Sequence, residues 1–190
     1  MTAEPKLTDL FDSFPNLELS AGDLSTYKTF RCQETQLVSC LDNREKEPEV
    51  LVLREKGEPI GTVSLAVMEN PQKTSPANQY ARIDLVIVIK ARRKLGVGHL
   101  LILCAIIYLL RTRKDRLYSI SCLAAHKAVE KVLKELSFQE LKGKEKEGFL
   151  RCALNLENLD LEDLIARFVK QTSQCIQQTN FRLRQRPGTL

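Results

Sequence analysis

The residues from Leu95 to Leu110, LGVGHLLILCAIIYLL, are almost wholly apolar, with two glycines and His99 at their start. Arg92, Arg93 and Lys94 precede them, and Arg111, Arg113 and Lys114 follow. A helix that spans a bilayer needs about 20 apolar residues, so this shorter run reads as a helix buried on most of its faces inside an α/β protein. Before it, Tyr80 to Ile89 reads YARIDLVIVI. Polar and apolar residues alternate there at first, and the later part turns continuously apolar, as a buried central strand does. Between strand and helix lies the basic turn Lys90-Ala91-Arg92-Arg93-Lys94-Leu95-Gly96-Val97-Gly98.

Such a strand, turn and helix form a cradle for an anion. Successive N–H groups point into one concavity, the helix N-terminus adds about half a positive charge, and glycines let the backbone approach phosphate oxygens. Arg92, Arg93 and Lys94 supply counter-charge. The spacing is neither that of a P-loop, which needs a following Lys-Ser/Thr, nor that of the dinucleotide fingerprint, since no third glycine stands three residues after Gly98.

The rest of the chain is organised around this unit. Residues 17–20 read as a strand. Asp23 reads as the N-cap of a helix over 23–43, with Leu24, Tyr27, Phe30, Leu37, Val38 and Leu41 near one face. Glu49 to Arg54 and Ile60 to Met68 read as an antiparallel hairpin around a turn at Lys56-Gly57-Glu58-Pro59. The segment 69–79, ENPQKTSPANQ, is an exposed connection. A strand at 117–123, a helix at 124–136 and a strand at 148–156 follow. From Asp160 to Gln178 apolar residues recur at helical spacing, and FRLRQRPGTL reads as a frayed basic tail.

Composition narrows the function classes. The chain has 190 residues with 29 Lys and Arg against 24 Asp and Glu, a net charge of +5 that is mild for a dedicated nucleic-acid binder and suits an anionic small ligand. Six cysteines without a CxxC pair read as buried thiols rather than a disulfide framework. With two histidines and no cluster at metal spacing, no metal cofactor is expected. The opening residues lack the pattern of a secretory leader, so a cytoplasmic protein is expected.

The pattern Arg93-x-x-Gly96-x-Gly98 resembles the pyrophosphate-binding motif of the GNAT superfamily of acyl-CoA-dependent N-acyltransferases. The order of elements resembles that fold over residues 16 to 156. The resemblance implies an α/β (α+β) domain over 1–156 with a mixed, mostly antiparallel central sheet flanked by helices, and a C-terminal helix and basic tail over 157–190. It also implies that acetyl-CoA or another acyl-CoA is bound. The amides of Lys94, Leu95, Gly96, Val97 and Gly98 would hold its pyrophosphate beside Arg93 and His99. The strand edge at Val86, Ile87 and Val88 would bond the pantetheine arm where two strands splay apart.

Family members often protonate the leaving thiolate with a tyrosine in the helix after the fifth strand. Aligned on Leu136-Ser137-Phe138, this chain has His126 at the usual asparagine, Val129 at the alanine, Leu133 at the tyrosine and Ser137 at the glycine. A proton donor would then be His126, Tyr118, Tyr108, Cys122 or water, or else the protein binds acyl-CoA without turning it over. Asp84 is the carboxylate on the strand leading to the site, as a base for the amine or as a salt-bridge partner of Arg82. Cys122 reads as a buried thiol or an acyl acceptor.

The expected activity is transfer of an acyl group, most simply acetyl, to a primary amine on a small molecule or protein. A non-catalytic acyl-CoA-binding or protein-interaction module and a long-chain acyltransferase are the rival readings. The C-terminal helix either covers its own domain or contacts a second copy or partner; nucleic acid is not expected as a partner.

Overall fold

The computed structural model describes residues 8–34, 47–72, 77–124, 127–141, 150–157 and 159–184. Among the described residues seven strands form one sheet: β1 (Leu17–Ala21), β2 (Glu49–Glu55), β3 (Glu58–Glu69), β4 (Gln79–Val88), β5 (Leu117–Ala124), β6 (Gln139–Glu140) and β7 (Leu150–Asn155), in the spatial order β1-β2-β3-β4-β5-β7-β6. Only β4 and β5 run parallel, joined through α2 (Val97–Arg113). The remaining helices are α1 (Leu24–Glu34), α3 (Lys127–Glu135) and α4 (Leu161–Arg184). This is the mixed, mostly antiparallel α/β architecture that the family resemblance implies.

Helix α2 packs against β3, β4, β5 and α4, so its hydrophobicity on all sides matches burial on all sides. Leu100 to Ile107 are all buried. They belong to the main core with Val63, Leu65, Ala81, Ile83, Ile120, Leu133, Leu154 and Phe168. The opposite face of the sheet carries α1, whose Tyr27 and Phe30 pack on Val50, Val52 and Ile87. Among the described residues no helix is long and apolar enough to cross a membrane.

Several boundaries differ from the sequence reading. The first hairpin turns in two residues, Lys56 and Gly57, with φ of 54° and 81°, because Glu55 pairs with Glu58 and Arg54 with Pro59. The primed turn geometry matches strand twist, and a β-bulge near Arg54 accommodates Pro59. The last helix continues through Arg184, so Phe181 to Arg184 are helical rather than frayed. The two-residue strand β6 had no counterpart in the sequence reading. Cys32 is exposed, whereas Cys104, Cys122, Cys152 and Cys175 are buried. Residues 35–43 of the expected first helix, His126 and Cys40 lie outside the described residues.

Candidate functional site

The centre of β4 holds a β-bulge. Leu65 of β3 pairs with Ile83 and Ser64 with Leu85, so Asp84 is the extra residue. Up to Ile83 the odd-numbered side chains of β4 enter the main core; beyond Asp84, Val86 and Val88 take that side and Leu85 and Ile87 face α1. Bulges bend the strand that carries them. On the other edge of β4, pairing with β5 ends at the rung between Ile83 and Cys122, after which β5 continues with β7 alone. The two parallel strands therefore separate beyond Ile83. That separation explains why Leu85, Val86 and Val88 are half-buried rather than enclosed.

Backbone groups alternate between the two edges of a strand. Ile89 N–H donates to Ile60 O of β3 at 3.1 Å, which places the groups of Ile87 on the β3 side and those of Val86 and Val88 toward the gap. Of the three residues expected to meet a pantetheine arm, Ile87 is thus committed to the sheet. Val88 O already accepts from Arg93 Nε at 3.0 Å, leaving Val86 with the open edge.

A single 3₁₀ turn, Lys90–Arg92, leads from β4 into the cradle. Lys94 and Gly96 have φ of 63° and 82°, so left-handed residues alternate with extended or helical ones and turn successive amides to one side. Arg92 N–H and Arg93 N–H donate to Ile89 O and Lys90 O. The N–H groups of Lys94, Leu95, Gly96, Val97, Gly98 and His99 make no hydrogen bond to another described residue. Leu95 and Val97 anchor this stretch by burying their side chains in the main core. Unsatisfied donors at a helix N-terminus are a receptor for a phosphate-like anion.

The basic side chains divide their work. Arg92 is ion-paired with Glu55 at the end of β2, Nε lying 3.0 Å from Oε2, and is a tie between turn and hairpin. Arg93 latches the turn to β4 through Val88 O. Lys94 is exposed, with its ammonium available to solvent or ligand. His99 contributes its amide; its imidazole points to Glu135 of α3, Nδ1 to Oε2 4.0 Å, and burial holds its pKa below the usual histidine value against the pull of Glu135.

Asp84 is ion-paired with Arg82, and its side chain is only 1% exposed. Bulge and splay thus put the strand's one carboxylate beside the gap. Cys122 faces the core, and burial first of all pushes its thiol up to about 12, which removes it as a nucleophile at neutral pH. Tyr118 accepts from Asn70 Nδ2 at 3.4 Å at the start of β5, the end of the parallel pair away from the gap. Tyr108 lies on α2 roughly 15 Å along the axis from the cradle, at 1.5 Å per residue. Leu133 is fully buried in the main core and supplies packing where the family pattern has a tyrosine. Two surface depressions, one beside Leu110, Lys114 and Leu161 and one beside Ser137, Asp163 and Arg167, include no residue from 84–99 in their lining.

Gly96 and Gly98 serve different ends. A Cβ on Gly96 would displace Gln171 Nε2 of α4 and stand 3.2 Å from Cys175 Sγ, and the φ of 82° is one that residues with a Cβ rarely adopt. Among the described residues, a Cβ on Gly98 would meet only Val88 Cγ2 at 3.9 Å. Gly98 is the glycine that faces open space. The sequence pattern signalled both glycines but not the contact with α4, and it carried no trace of the bulge.

Comparison with known proteins gives the following. The family model described as "Acetyltransferase (GNAT) family" matches residues 10–138. No curated protein sequence matches the chain. The structure is similar to that of NAA60 from Arabidopsis thaliana in complex with a bisubstrate analogue, at 12% identity and a TM-score of 0.53, covering 75% of this chain and 100% of that one. Naa50 from Arabidopsis thaliana, in complex with the bisubstrate analogue CoA-Ac-MVNAL, is similar at 13% identity and a TM-score of 0.52, over 74% of this chain and 99% of that one. A GNAT family acetyltransferase from Elizabethkingia anophelis with acetyl-CoA bound is similar at 12% identity and a TM-score of 0.51, over 74% and 99%.

Proposed function

The chain belongs to the GNAT acetyltransferase family, and from that premise we propose that it transfers an acetyl group from acetyl-CoA to a primary amine by direct attack. The observation that carries this reading is the run of free amides from Lys94 to His99 placed beside the open edge of β4. The amides receive the pyrophosphate and Lys94 adds counter-charge. The Val86 edge aligns the pantetheine arm, which brings the thioester to the gap near the bulge. Solved relatives of the same fold hold acetyl-CoA or CoA-containing analogues.

The thioester is already activated, so the protein's task is to hold two reactants in line and let charge shift. The amine nitrogen forms a bond to the acetyl carbon, the carbon–sulfur bond breaks, and the proton lost by the amine is balanced by one gained by the thiolate. In this reading Asp84 takes the amine's proton, exchanging its contact with Arg82 for the substrate. With Leu133 at the usual tyrosine position, the thiolate's proton comes from water or from a residue outside the described ones, His126 included.

That same Leu133 favours a second reading, in which the domain binds acyl-CoA without turning it over. Thermal unfolding with CoA, acetyl-CoA and palmitoyl-CoA tests binding, since a ligand at about 100 times its dissociation constant adds roughly 2.7 kcal/mol. Stabilisation by CoA and acetyl-CoA is expected, and no shift with any of the three overturns the reading. Release of free CoA over many turnovers with a panel of amines and N-terminal peptides then separates enzyme from binding module. A preference for palmitoyl-CoA would move the assignment to long-chain transfer.

A further inference from the structure

We infer that Gln171 of α4 is a positioning residue for the anion-binding turn, which makes the C-terminal helix part of the acyl-CoA site; the inference rests on the acyl-CoA reading above. Gln171 Nε2 donates to Gly96 O at 3.3 Å and lies 3.6 Å from Cys175 Sγ. Gly96 O also accepts from Leu100 N–H at 3.0 Å, so it points along α2 as an N-cap carbonyl does. The N–H groups of Val97, Gly98 and His99, in the first turn of α2, point the other way. Gln171 therefore grips the turn from behind and leaves the concave side clear.

The grip is firm because α4 is anchored on both sides of Gln171. Phe168 is fully buried and meets Phe11 edge-to-face, with ring centroids 5.0 Å apart. Leu164, Thr172, Cys175 and Thr179 are also buried. Arg167 Nη1 donates to Glu135 O at 2.8 Å, tying α4 to the end of α3.

Two physical effects follow. The turn aligns several N–H dipoles and holds Lys94 in a left-handed conformation, so without a ligand it needs support from outside. A bond donated to Gly96 O also polarises the peptide group whose N–H belongs to Val97, strengthening that donor toward an anion. The family match ends at residue 138, so this support comes from chain outside it.

The test is calorimetric titration of the full-length protein with CoA, alongside melting temperature. Gln171→Met keeps the unbranched shape and removes the donor; it is expected to melt near the wild type and to bind CoA about tenfold more weakly. The split should fall on KM for acetyl-CoA, with kcat at saturation unchanged. Gln171→Glu presents a carboxylate to Gly96 O and should bind more weakly still, recovering toward the wild type as its carboxyl is protonated at lower pH. Gln171→Lys restores a donor and should regain affinity over Gln171→Met, which simple packing does not explain. Equal CoA affinity in wild type, Gln171→Met and Gln171→Glu overturns the inference and leaves the acyl-CoA reading standing. Absence of CoA binding by the wild type overturns both.

Discussion

Arg92 and Glu55 are bound side chain to side chain across the junction of β2 and the turn that leads into α2, Arg92 placing both Nε and Nη2 on one carboxylate oxygen. Both side chains are mostly buried. A cation so engaged is a structural tie, and in the acyl-CoA reading proposed above the counter-charge for a phosphate comes from the exposed Arg93 and Lys94. Arg92→Ala should cost about 1 kcal/mol of stability and leave CoA affinity within about twofold. Lys94→Gly should do the opposite. It relieves a left-handed lysine, raising stability by roughly 0.5–1 kcal/mol, while CoA binding weakens about threefold to tenfold and becomes less sensitive to salt. Paired melting curves and titrations at two salt concentrations check both signs.

The two glycines of the turn should respond differently. Gly96→Ala forces a side chain into a left-handed residue and against Gln171, and should destabilise by about 1–2 kcal/mol or more. Gly98→Ala should fold as well as the wild type or better by about 0.5–1 kcal/mol, since its Cβ meets only Val88. Gly98→Asp should also fold, a carboxylate being favourable in the first helical turn. It should nevertheless bind CoA at least about tenfold more weakly, because it competes with the phosphate for the same amides.

Asp84→Asn tests the base. The variant keeps the size of the side chain and removes its charge, so kcat should fall at least about tenfold with KM for acetyl-CoA unchanged. Unaltered kcat would return Asp84 to the role of ion-pair partner to Arg82.

Asp23 sets an acid limit for the α1 end of the fold. It caps α1: Oδ1 accepts from Thr26 N–H at 3.0 Å, and the Thr26 hydroxyl donates to Oδ2 at 2.6 Å. The Thr26 hydroxyl above all, then its N–H, lowers the carboxyl to about 2 against the pull of partial burial, with Ser25 and Arg54 helping. A carboxyl lowered by folding stabilises above its unfolded pKa of about 3.9 and loses that contribution as pH falls through its folded value. Asp23→Ala should therefore cost about 1 kcal/mol at neutral pH, and its difference from the wild type should shrink between about pH 4 and pH 2. Urea midpoints across that range decide the matter.

The strand, turn and helix at the centre of this protein were legible because each had its own local signal: the apolar run from Leu95, the glycines at 96 and 98, the alternation from Tyr80 to Ile83. The chain order of the elements and the first hairpin were legible too, and the family pattern implied a mixed, mostly antiparallel sheet. The bulge was not legible. From Leu85 to Ile89 every residue is apolar, and a run without alternation carries no phase from which a one-residue slip can be read. The engagement of Arg92 with Glu55 was equally hidden, because the partners stand 37 residues apart and nothing local distinguishes a tied arginine from a free one. Gln171 sits on a half-buried flank of an amphipathic helix, where sequence alone gives no reason to single out one polar residue.

Asp84 lies between Ile83, which faces one core, and Leu85, which faces the other. Adjacent residues of an unbroken strand do the same, so a chain lacking Asp84 would present the same side chains to the same two cores in the same order. Hydrophobic packing is thus indifferent to this residue's presence. What its backbone supplies is length along one edge and not the other, and hence a bend away from β5. A stable core would be served equally by a strand one residue shorter, and the pairing of β4 with β5 stops at Ile83, immediately before the extra residue.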